Sequence, residues 1–576
     1  MPLTDSTILA RLVTEIREHA LGVAVRRVLG PRHDLVALEL GRSGPWSCLI
    51  VDWSAESARV HLASEMPAPA LKDQRMGLTL RRQLRGARLD AVEQINFDRV
   101  IHLRFSNCEQ LGPNCRRTLI CELTGRHGNA VLVDDDDGEI IEAGKHVTAR
   151  VNRFRETLPG LDYVAPPQFD RISPADATAE IIAARAAEAQ DKRLPGFLRG
   201  AFHGGSDLFI AEALHRAGLN PDCLVGALGD DWHAPLAEAL VGIATEAAAP
   251  GESWLYMDEE GQRPALVWPV KLTHLGDRPC ERVSSISGAI EGLHRDQLKR
   301  RDMSALRARI NAAVHAAERK AKRVLKVRQA AVDKAKDAEA DRERGELLMA
   351  YMHQVDPLQG EVTLPRFDGS GEVTVRLRAE LTALANAQWY FRRYKKAGRL
   401  TALAPKLLAN ARHDLDYLTQ VTTQVELAEE VEDLQRIEQE LVSQEYLKPR
   451  KRKVAPPPRR QGPRTMQTAG GYTLLYGKSG DENDEVLRAA GADDLWFHVK
   501  GGAGSHVVLR TDGRPDETPE ASVYEAALLA ARLSSRRRDA RVEVDCALAS
   551  KVRKPRRGRP GLAYYHADRT IAVDLT

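Results

Sequence analysis

Residues 493–510 read DDLWFHVKGGAGSHVVLR. Two hydrophobic runs flank a glycine cluster; His498 and His506 stand at their edges, and Trp496 lies inside the first. Such runs, bounded by glycine, predict two strands joined by a tight turn. Gly501, Gly502 and Gly504 permit positive φ and close backbone approach, while Lys500 and Ser505 add donors, which suits an anion-binding nest. It is not a P-loop, because GxxxxGK[ST] is absent. A metal fits less well: the histidines are eight residues apart, with no cysteine or carboxylate at ligand spacing. Taken alone, the stretch suits a phosphate- or RNA-binding turn and a purely structural hairpin equally.

The surrounding sequence breaks that tie. Within 466–576, TLLYG, DLWFHV, SHVVLR, ARVEVDC and TIAVDL predict strands around a helix, SVYEAALLAARLSSRRR, giving an α/β domain. Near its end KVRKPRRGRPG places six basic residues in 551–559, Arg553, Lys554, Arg556 and Arg557 among them. The segment 448–465 leads in with KPRKRKVAPPPRRQGPR, which holds eight basic residues, no acid and five prolines. That is an extended linker unable to form a core. Two phosphate-compatible features in one small domain, with a basic approach, favour RNA over a small nucleotide.

From 285 to 447 the chain reads as two long helices. In the first, Ile310, Val314, Ala317, Ala321, Val324, Ala331, Ala335 and Ala338 keep a four-three spacing interrupted only at Arg328. The second returns through Leu408, Ala411, Leu415 and Leu418 towards Leu441. Lys299–Arg328 carries eleven basic and two acidic residues, and Glu426–Glu445 eight acidic and one basic. An antiparallel pair sets these opposite charges face to face. Roughly 45 residues at about 1.5 Å each give a coiled-coil arm on the order of 65 Å. GEVTLPRFDGSGEVTVRL between them predicts a β-hairpin, hence a small middle domain at about 346–400.

Residues 1–165 alternate helical and strand signals. TDSTILARLVTEI begins like a capped helix, with Thr4 or Ser6 as the cap. WSCLIVDW, RVIHLRF, TLICEL and NAVLVDDDDGEII follow as strands, the last a hairpin turning at Asp137 and Gly138. Asp98 and Arg99 start the second of these. They are either a local ion pair or cap, or groups that hydrogen-bond base edges in an unpaired RNA loop, and spacing does not decide. Residues 166–225 are helical, with Gly204 and Gly205 between two helical patterns in RGAFHGGSDLFIAEALHRAGL. A phosphate-taking helix-hairpin-helix turn and ordinary helix packing both fit. Residues 226–284 read as a connecting α/β segment.

A chain of 576 residues exceeds one core and implies three or more domains. With a formal charge of only +3, any nucleic-acid contact must come from local patches. Seven scattered cysteines without a CxxC argue against a disulfide framework and a structural zinc site. No long uncharged apolar run reads as a signal peptide or membrane span, so the expected location is cytoplasmic, with no membrane partner. No nucleophile elbow, zincin motif or cysteine with an obvious histidine partner is present, so no catalytic residue, cofactor or metal is expected.

Taken in order, these segments resemble one family, the NFACT proteins, a group once labelled fibronectin-binding. The resemblance runs nearly end to end: LRRQLRGARLDAVEQINFDRVIHLRF (80–105), ELTGRHGNAVLVDDDDGEIIEAGKHV (122–147), GGSDLFIAEAL, ANAQWYFRRYKKAGR (385–399), GKSGDEND (477–484), DDLWFHVKGGAGSHVV and KVRKPRRGRPG. It implies an α+β multidomain fold: an α/β NFACT-N domain, a helix-hairpin-helix, a long antiparallel coiled-coil arm with a small middle domain, and an α/β NFACT-R RNA-binding domain. It further implies a ribosome quality-control factor. Its partners are then the rRNA of a large ribosomal subunit holding stalled peptidyl-tRNA, a recruited tRNA (alanyl-tRNA in the bacterial branch) and a small RNA-binding helper protein. Alanines are added to the nascent chain's C-terminus without a template, and bond formation stays with the ribosome, so such a protein is not itself an enzyme.

The family's tRNA-binding Asp-Arg pair maps onto Asp98 and Arg99. Its second tRNA-contacting segment maps onto Glu122, Leu123, Thr124, Gly125 and Arg126. The RNA-binding signature of the last domain covers Trp496, His498, Lys500, Ser505 and His506, with Arg553, Lys554, Arg556 and Arg557 as phosphate contacts. Thr124 stands where Met is usual, and GKSGDEND departs from the family's GRNxxxND, which bears on tRNA choice and on contacts of the last domain. The N-terminal half also resembles formamidopyrimidine-DNA glycosylases, but Pro2 is followed by Leu3 and no zinc finger follows the helix-hairpin-helix. A fibronectin-binding surface adhesin, the remaining alternative, lacks a signal or anchor.

Overall fold

The computed structural model describes residues 4–575 apart from 42–43, 70–73, 109–111, 168, 337, 450–461 and 557. Most of the basic linker, and Arg557, therefore lie outside the described residues. The chain divides into two compact units, Met1–Leu298 and Lys299–Thr576.

The first unit is organised around the helix Ser6–Ala20. Its cap is Asp5, not Thr4 or Ser6: Asp5 is extended and its Oδ1 accepts the Ile8 N–H at 2.8 Å, while Ser6 is already helical. Ile8, Leu9, Leu12 and Ile16 recur at helical spacing and are all buried. Arg11 on the same helix is buried too. It donates to the carbonyls of Glu246, Ala247, Gly251 and Glu252 at 2.6–3.1 Å, which satisfies the C-terminal end of the helix His233–Ala248.

Among the described residues this unit holds three antiparallel sheets. One is a meander of Val25–Arg32, Leu35–Leu40, Cys48–Asp52 and Arg59–Ala63. A second runs through Arg88–Gln94, Val100–Cys108, Gly112–Glu122, Asn129–Asp134 and Ile140–Ala143. In the third, Ser253–Met257 lies between Pro264–Trp268 and Cys280–Val283. The helices Ala179–Ala187, Leu194–Ala201 and Asp207–Arg216 have no core of their own. Ile182, Phe197 and Phe209 join Leu9 and Leu12, Leu38 and Leu103 in one continuous hydrophobic cluster. That sharing fixes the Gly204-Gly205 turn against the sheets.

In the second unit the long helices are Ile286–Lys336, 51 residues that begin in the first unit, and Ala383–Leu427, 45 residues. They run in opposite directions, because Arg307 donates to the Ala428 carbonyl (2.7 Å) while Asp341, in the helix Ala338–Ala350 that follows the first, pairs with Arg393 (3.0 Å). Leu306, Ile310 and Val314 close on Leu418, Val421 and Val425. The expected seam holds only in part. Val324 is 40% exposed, and the side chains of Ala331 and Ala335 are outside the described set. The returning helix also stops early: the backbone is extended at Ala428 and Glu430 and restarts as Val431–Ser443. Leu434, Ile437 and Leu441 thus enter the seam from a third helix, and Arg309 meets Glu438 there. The hairpin Glu361–Pro365 with Glu372–Arg376 packs Leu364 and Val375 on Leu347, Leu348 and Tyr390.

The C-terminal residues form a six-stranded antiparallel sheet in the order Arg464–Gln467, Thr473–Tyr476, Val507–Leu509, Leu495–Val499, Arg541–Leu548, Arg569–Asp574. Period-two alternation divides its side chains. Phe497, Val507 and Val544 face the helix Glu520–Arg532, while Trp496, Val508 and Ala547 pack with Val486 of the helix Gly480–Ala489. GKSGDEND turns out to start that second helix, with Ser479 Oγ accepting the Glu482 N–H at 3.2 Å.

Candidate nucleic-acid interface

Asp98 and Arg99 sit in the turn between the strands Arg88–Gln94 and Val100–Cys108. Asn96 and Phe97 before them take positive φ, 51° and 53°, a conformation that L side chains rarely adopt. The surroundings hold them there. Gln94 Nε2 donates to the carbonyls of Ser6 (2.8 Å) and Asp98 (2.9 Å), and the Phe97 ring lies 6.0 Å from that of Phe209. Gly204, itself at φ 69°, is the close neighbour: a Cβ there would come within 2.7 Å of the Phe97 ring. Two motifs about a hundred residues apart are thus pressed together.

Asp98 and Arg99 form no ion pair with each other. Asp98 Oδ1 accepts the Arg99 backbone N–H at 2.7 Å, and Oδ2 stands 3.9 Å from His203 Nδ1. Burial lowers the His203 pKa, so its imidazole is neutral at physiological pH. Arg99 is half-buried, and its guanidinium has no hydrogen-bond or ion-pair partner among the described residues. With Asp98 and Arg171 it lines a cleft of about 360 Å³, closed by Asp5, Gly204 and Ser206 at the starts of two helices. Asp5 is committed there: its Oδ2 accepts from Ser206 Oγ (2.8 Å) and Trp268 Nε1 (3.1 Å). The two arginines remain, and they suit phosphate oxygens or an exposed base edge.

The segment 122–126 adjoins this turn. Glu122 pairs across the sheet with Val100, and the Leu123 N–H donates to the Arg99 carbonyl at 2.8 Å. Its first two residues do not reach solvent. Glu122 is fully buried, held by both Arg155 nitrogens (2.5 and 2.6 Å) and by the Tyr163 hydroxyl (2.9 Å), and Leu123 is buried in the core. Of the side chains expected to make contacts here, Thr124 and Arg126 face outward, while Glu122 and Leu123 lie behind the surface.

On the C-terminal sheet, Trp496 and His498 share a face two residues apart and stack nearly parallel (5.6 Å, 7°), with Tyr565 4.5 Å and His506 5.3 Å from the indole. These rings floor a cleft of about 370 Å³ whose rim is the glycine turn and whose far wall holds Asp416 and Gln420 of the helix Ala383–Leu427. Burial lowers the pKa of both histidines, His506 to about 3, so neither supplies a cation at neutral pH. Three expectations change. Ser505 is buried behind the cleft and does not line it; its N–H goes to the Leu533 carbonyl and its hydroxyl has no partner. Trp496 is fully buried and supports His498 instead of meeting solvent. Only Gly501 has positive φ; at Gly504 a Cβ would lie 3.1 Å from Ser534 Cβ, so close packing requires that glycine. Lys500 is exposed and pairs with Glu543 at 3.3 Å.

The basic strip after it is partly committed. Lys551 pairs with Asp568 and Lys554 with Asp484, while Arg559 pairs with Asp414 (2.9 Å) over the Tyr446 ring. Lys554 is therefore tied to the fold through Asp484, although its side chain stays 43% exposed. Arg553 and Arg556 are exposed, with no ion-pair partner among the described residues. Among those residues, too, no group of three or more His, Cys, Asp or Glu is placed to hold a metal ion, and no helix is long and apolar enough to cross a membrane.

A family model described as the NFACT N-terminal and middle domains matches residues 5–460, and one described as the NFACT protein RNA binding domain matches 463–560. The chain belongs to the NFACT family. It is 29% identical to the Rqc2 homolog RqcH of Bacillus subtilis (strain 168) over 573 residues, 97% of this chain and 95% of that one. Against the Rqc2 homolog RqcH of Streptococcus suis (strain 05ZYH33) it is also 29% identical, over 99% and 98% of the two chains. A solved C-terminal structure of the fibronectin/fibrinogen-binding protein from Streptococcus suis is 26% identical, with a TM-score of 0.38 over 48% of this chain and 96% of that one.

In this NFACT protein, several neighbours of the motif residues carried no sequence signal. Arg171 and His203 reach Asp98 and Arg99 from the helical segment, and Arg155 reaches Glu122 from 33 residues downstream. Tyr565 is the exception: it stands shortly after the basic strip, and an aromatic close to such a strip could have been read as part of an RNA surface.

Proposed function

We propose that this protein is a ribosome quality-control factor that binds large ribosomal subunits carrying stalled peptidyl-tRNA and recruits a tRNA, alanyl-tRNA by family resemblance, for untemplated C-terminal tailing of the nascent chain. Its role is to position RNA; the peptidyl transferase centre of the ribosome makes the bonds. The observation that carries this reading is the convergence of Asp98, Arg99 and the Gly204-Gly205 turn on one cleft, next to Thr124 and Arg126. An unpaired guanidinium and a fixed carboxylate side by side match the donors and acceptors of unpaired bases in a tRNA loop. Membership of the NFACT family over nearly the whole chain supports the ribosomal setting. The C-terminal domain, with His498 in its cleft and Lys500, Arg553 and Arg556 exposed on its surface, serves as a second RNA contact.

Mass spectrometry of a stalled reporter tests this. Cells holding the protein should yield nascent chains extended by a run of alanine, and cells lacking it should not. Tails of unchanged length and abundance in both would overturn the reading.

A further inference from the structure

Residues 147–157 form a closed loop. Thr157 N–H donates to the Val147 carbonyl (2.8 Å), the Val151 and Asn152 N–H groups to that of Thr148 (2.9 and 3.0 Å), Ala149 N–H to Glu156 Oε1 (2.7 Å) and Phe154 N–H to Asn152 Oδ1 (2.9 Å). The loop is rooted by Arg155. That side chain is only 11% exposed, grips the buried Glu122 carboxylate with both terminal nitrogens, and donates to the Val164 carbonyl at 3.0 Å. Removing one partner of such a pair leaves an uncompensated buried charge, so the loop's base is firmly set.

What the loop displays is apolar and cationic. Val151 is 77% exposed and Phe154 60%. Arg150 and Arg153 are exposed beside them, with no hydrogen-bond or ion-pair partner among the described residues. One exposed apolar residue is ordinary, but two on an ordered loop, interleaved with two unpaired guanidiniums, form a surface built to be covered. A ring to stack on and cations on either side suit unpaired RNA, whose bases offer π-faces and whose backbone offers phosphates. The loop is also continuous with the Asp98–Arg99 site, since Glu122 pairs with Val100 and Leu123 bonds the Arg99 carbonyl.

We propose that this loop is a further RNA-contacting element: Phe154 stacks on an unpaired base, Arg150 and Arg153 meet the flanking phosphates, and Glu122 is the positioning residue that holds the loop through Arg155. The proposal rests on the tRNA reading above. It also accounts for a motif glutamate that is itself buried.

The test is tRNA binding by the full chain at several salt concentrations, with melting temperature measured in parallel. Phe154→Ala should weaken binding about tenfold or more, and Phe154→Trp should retain it. Arg150→Ala with Arg153→Ala should lower the slope of log affinity against log salt by about one per residue. All three proteins should melt like the parent, since the altered side chains are exposed. Glu122→Gln should also weaken binding, but add little to the loss from Phe154→Ala, because both act through the same contact. If the Phe154 and arginine variants bind tRNA as the parent does while Asp98→Ala with Arg99→Ala does not, the loop proposal is wrong and the tRNA reading stands. If only the Asp98–Arg99 variant binds normally, the loop holds and the reading of that pair falls. Loss of a protein partner at unchanged tRNA affinity would assign the loop to protein and overturn the proposal.

Discussion

Phe97 at φ 53° and Gly204 at φ 69° are two halves of one constraint, and together they aim Asp98 and Arg99 at the cleft. Gly204→Ala should drive a methyl group into the Phe97 ring and displace the turn, costing about 1–3 kcal/mol and much of the tRNA affinity; a calorimetric scan and a binding titration of one sample check both. Glu440 offers an independent residue-scale test. It is buried beside Asp481, accepts from the Asp481 N–H (3.0 Å) and the Tyr417 hydroxyl (2.8 Å), and burial pushes its carboxyl up to about 7. The folded state therefore holds this proton more tightly than the unfolded chain does. The stability it contributes is full below about pH 4.5, falls as pH rises towards 7, and is level above that. Glu440→Gln should thus gain on the parent in melting temperature between pH 5 and 7, by several degrees. A difference that stays constant across that range would mean Glu440 is ionised throughout. The pairing of Asp98 with Arg99 was legible as a motif, but the cleft was not: its walls come from 5–8, 98–99, 171 and 204–208, which meet only because the helices share the core of the sheets.

Among the elements, strands with clean apolar runs, such as TLICEL, DLWFHV and TIAVDL, were readable from sequence because one or both faces are buried. Val25–Arg32 and Arg88–Gln94 were not, since their outward positions carry arginine and glutamate. The break at Ala428–Glu430 was hidden by an uninterrupted helical pattern and shows only as two extended residues. Leu418 lies at the heart of the seam where three helices meet, so Leu418→Ala should destabilise the second unit by about 2–5 kcal/mol. Denaturant unfolding measures that. For the basic strip the committed and uncommitted cations separate. Arg553→Ala with Arg556→Ala should reduce the salt slope of ribosome binding by about one per residue with the melting temperature unchanged. Lys554→Ala, which frees Asp484, should instead lower the melting temperature. The reverse pattern would show that Lys554 is the phosphate contact.

Among the described residues, Arg99, Arg150 and Arg153 around one turn and loop, and Arg553 and Arg556 in the C-terminal basic strip, have no hydrogen-bond or ion-pair partner. With a net charge of only +3, the proposed RNA binding draws on local patches such as these. The central claim is that the first of them selects tRNA. Its most direct measurement is the RNA recovered with the tagged full chain, comparing the parent with Asp98→Ala plus Arg99→Ala, with large-subunit recovery and melting temperature measured on the same preparations. The parent should bring down one tRNA species in excess, and the variant should lose it while keeping the large subunit and melting within about a degree or two of the parent. A variant that retains its tRNA but melts several degrees lower would make the pair a structural one and contradict the claim.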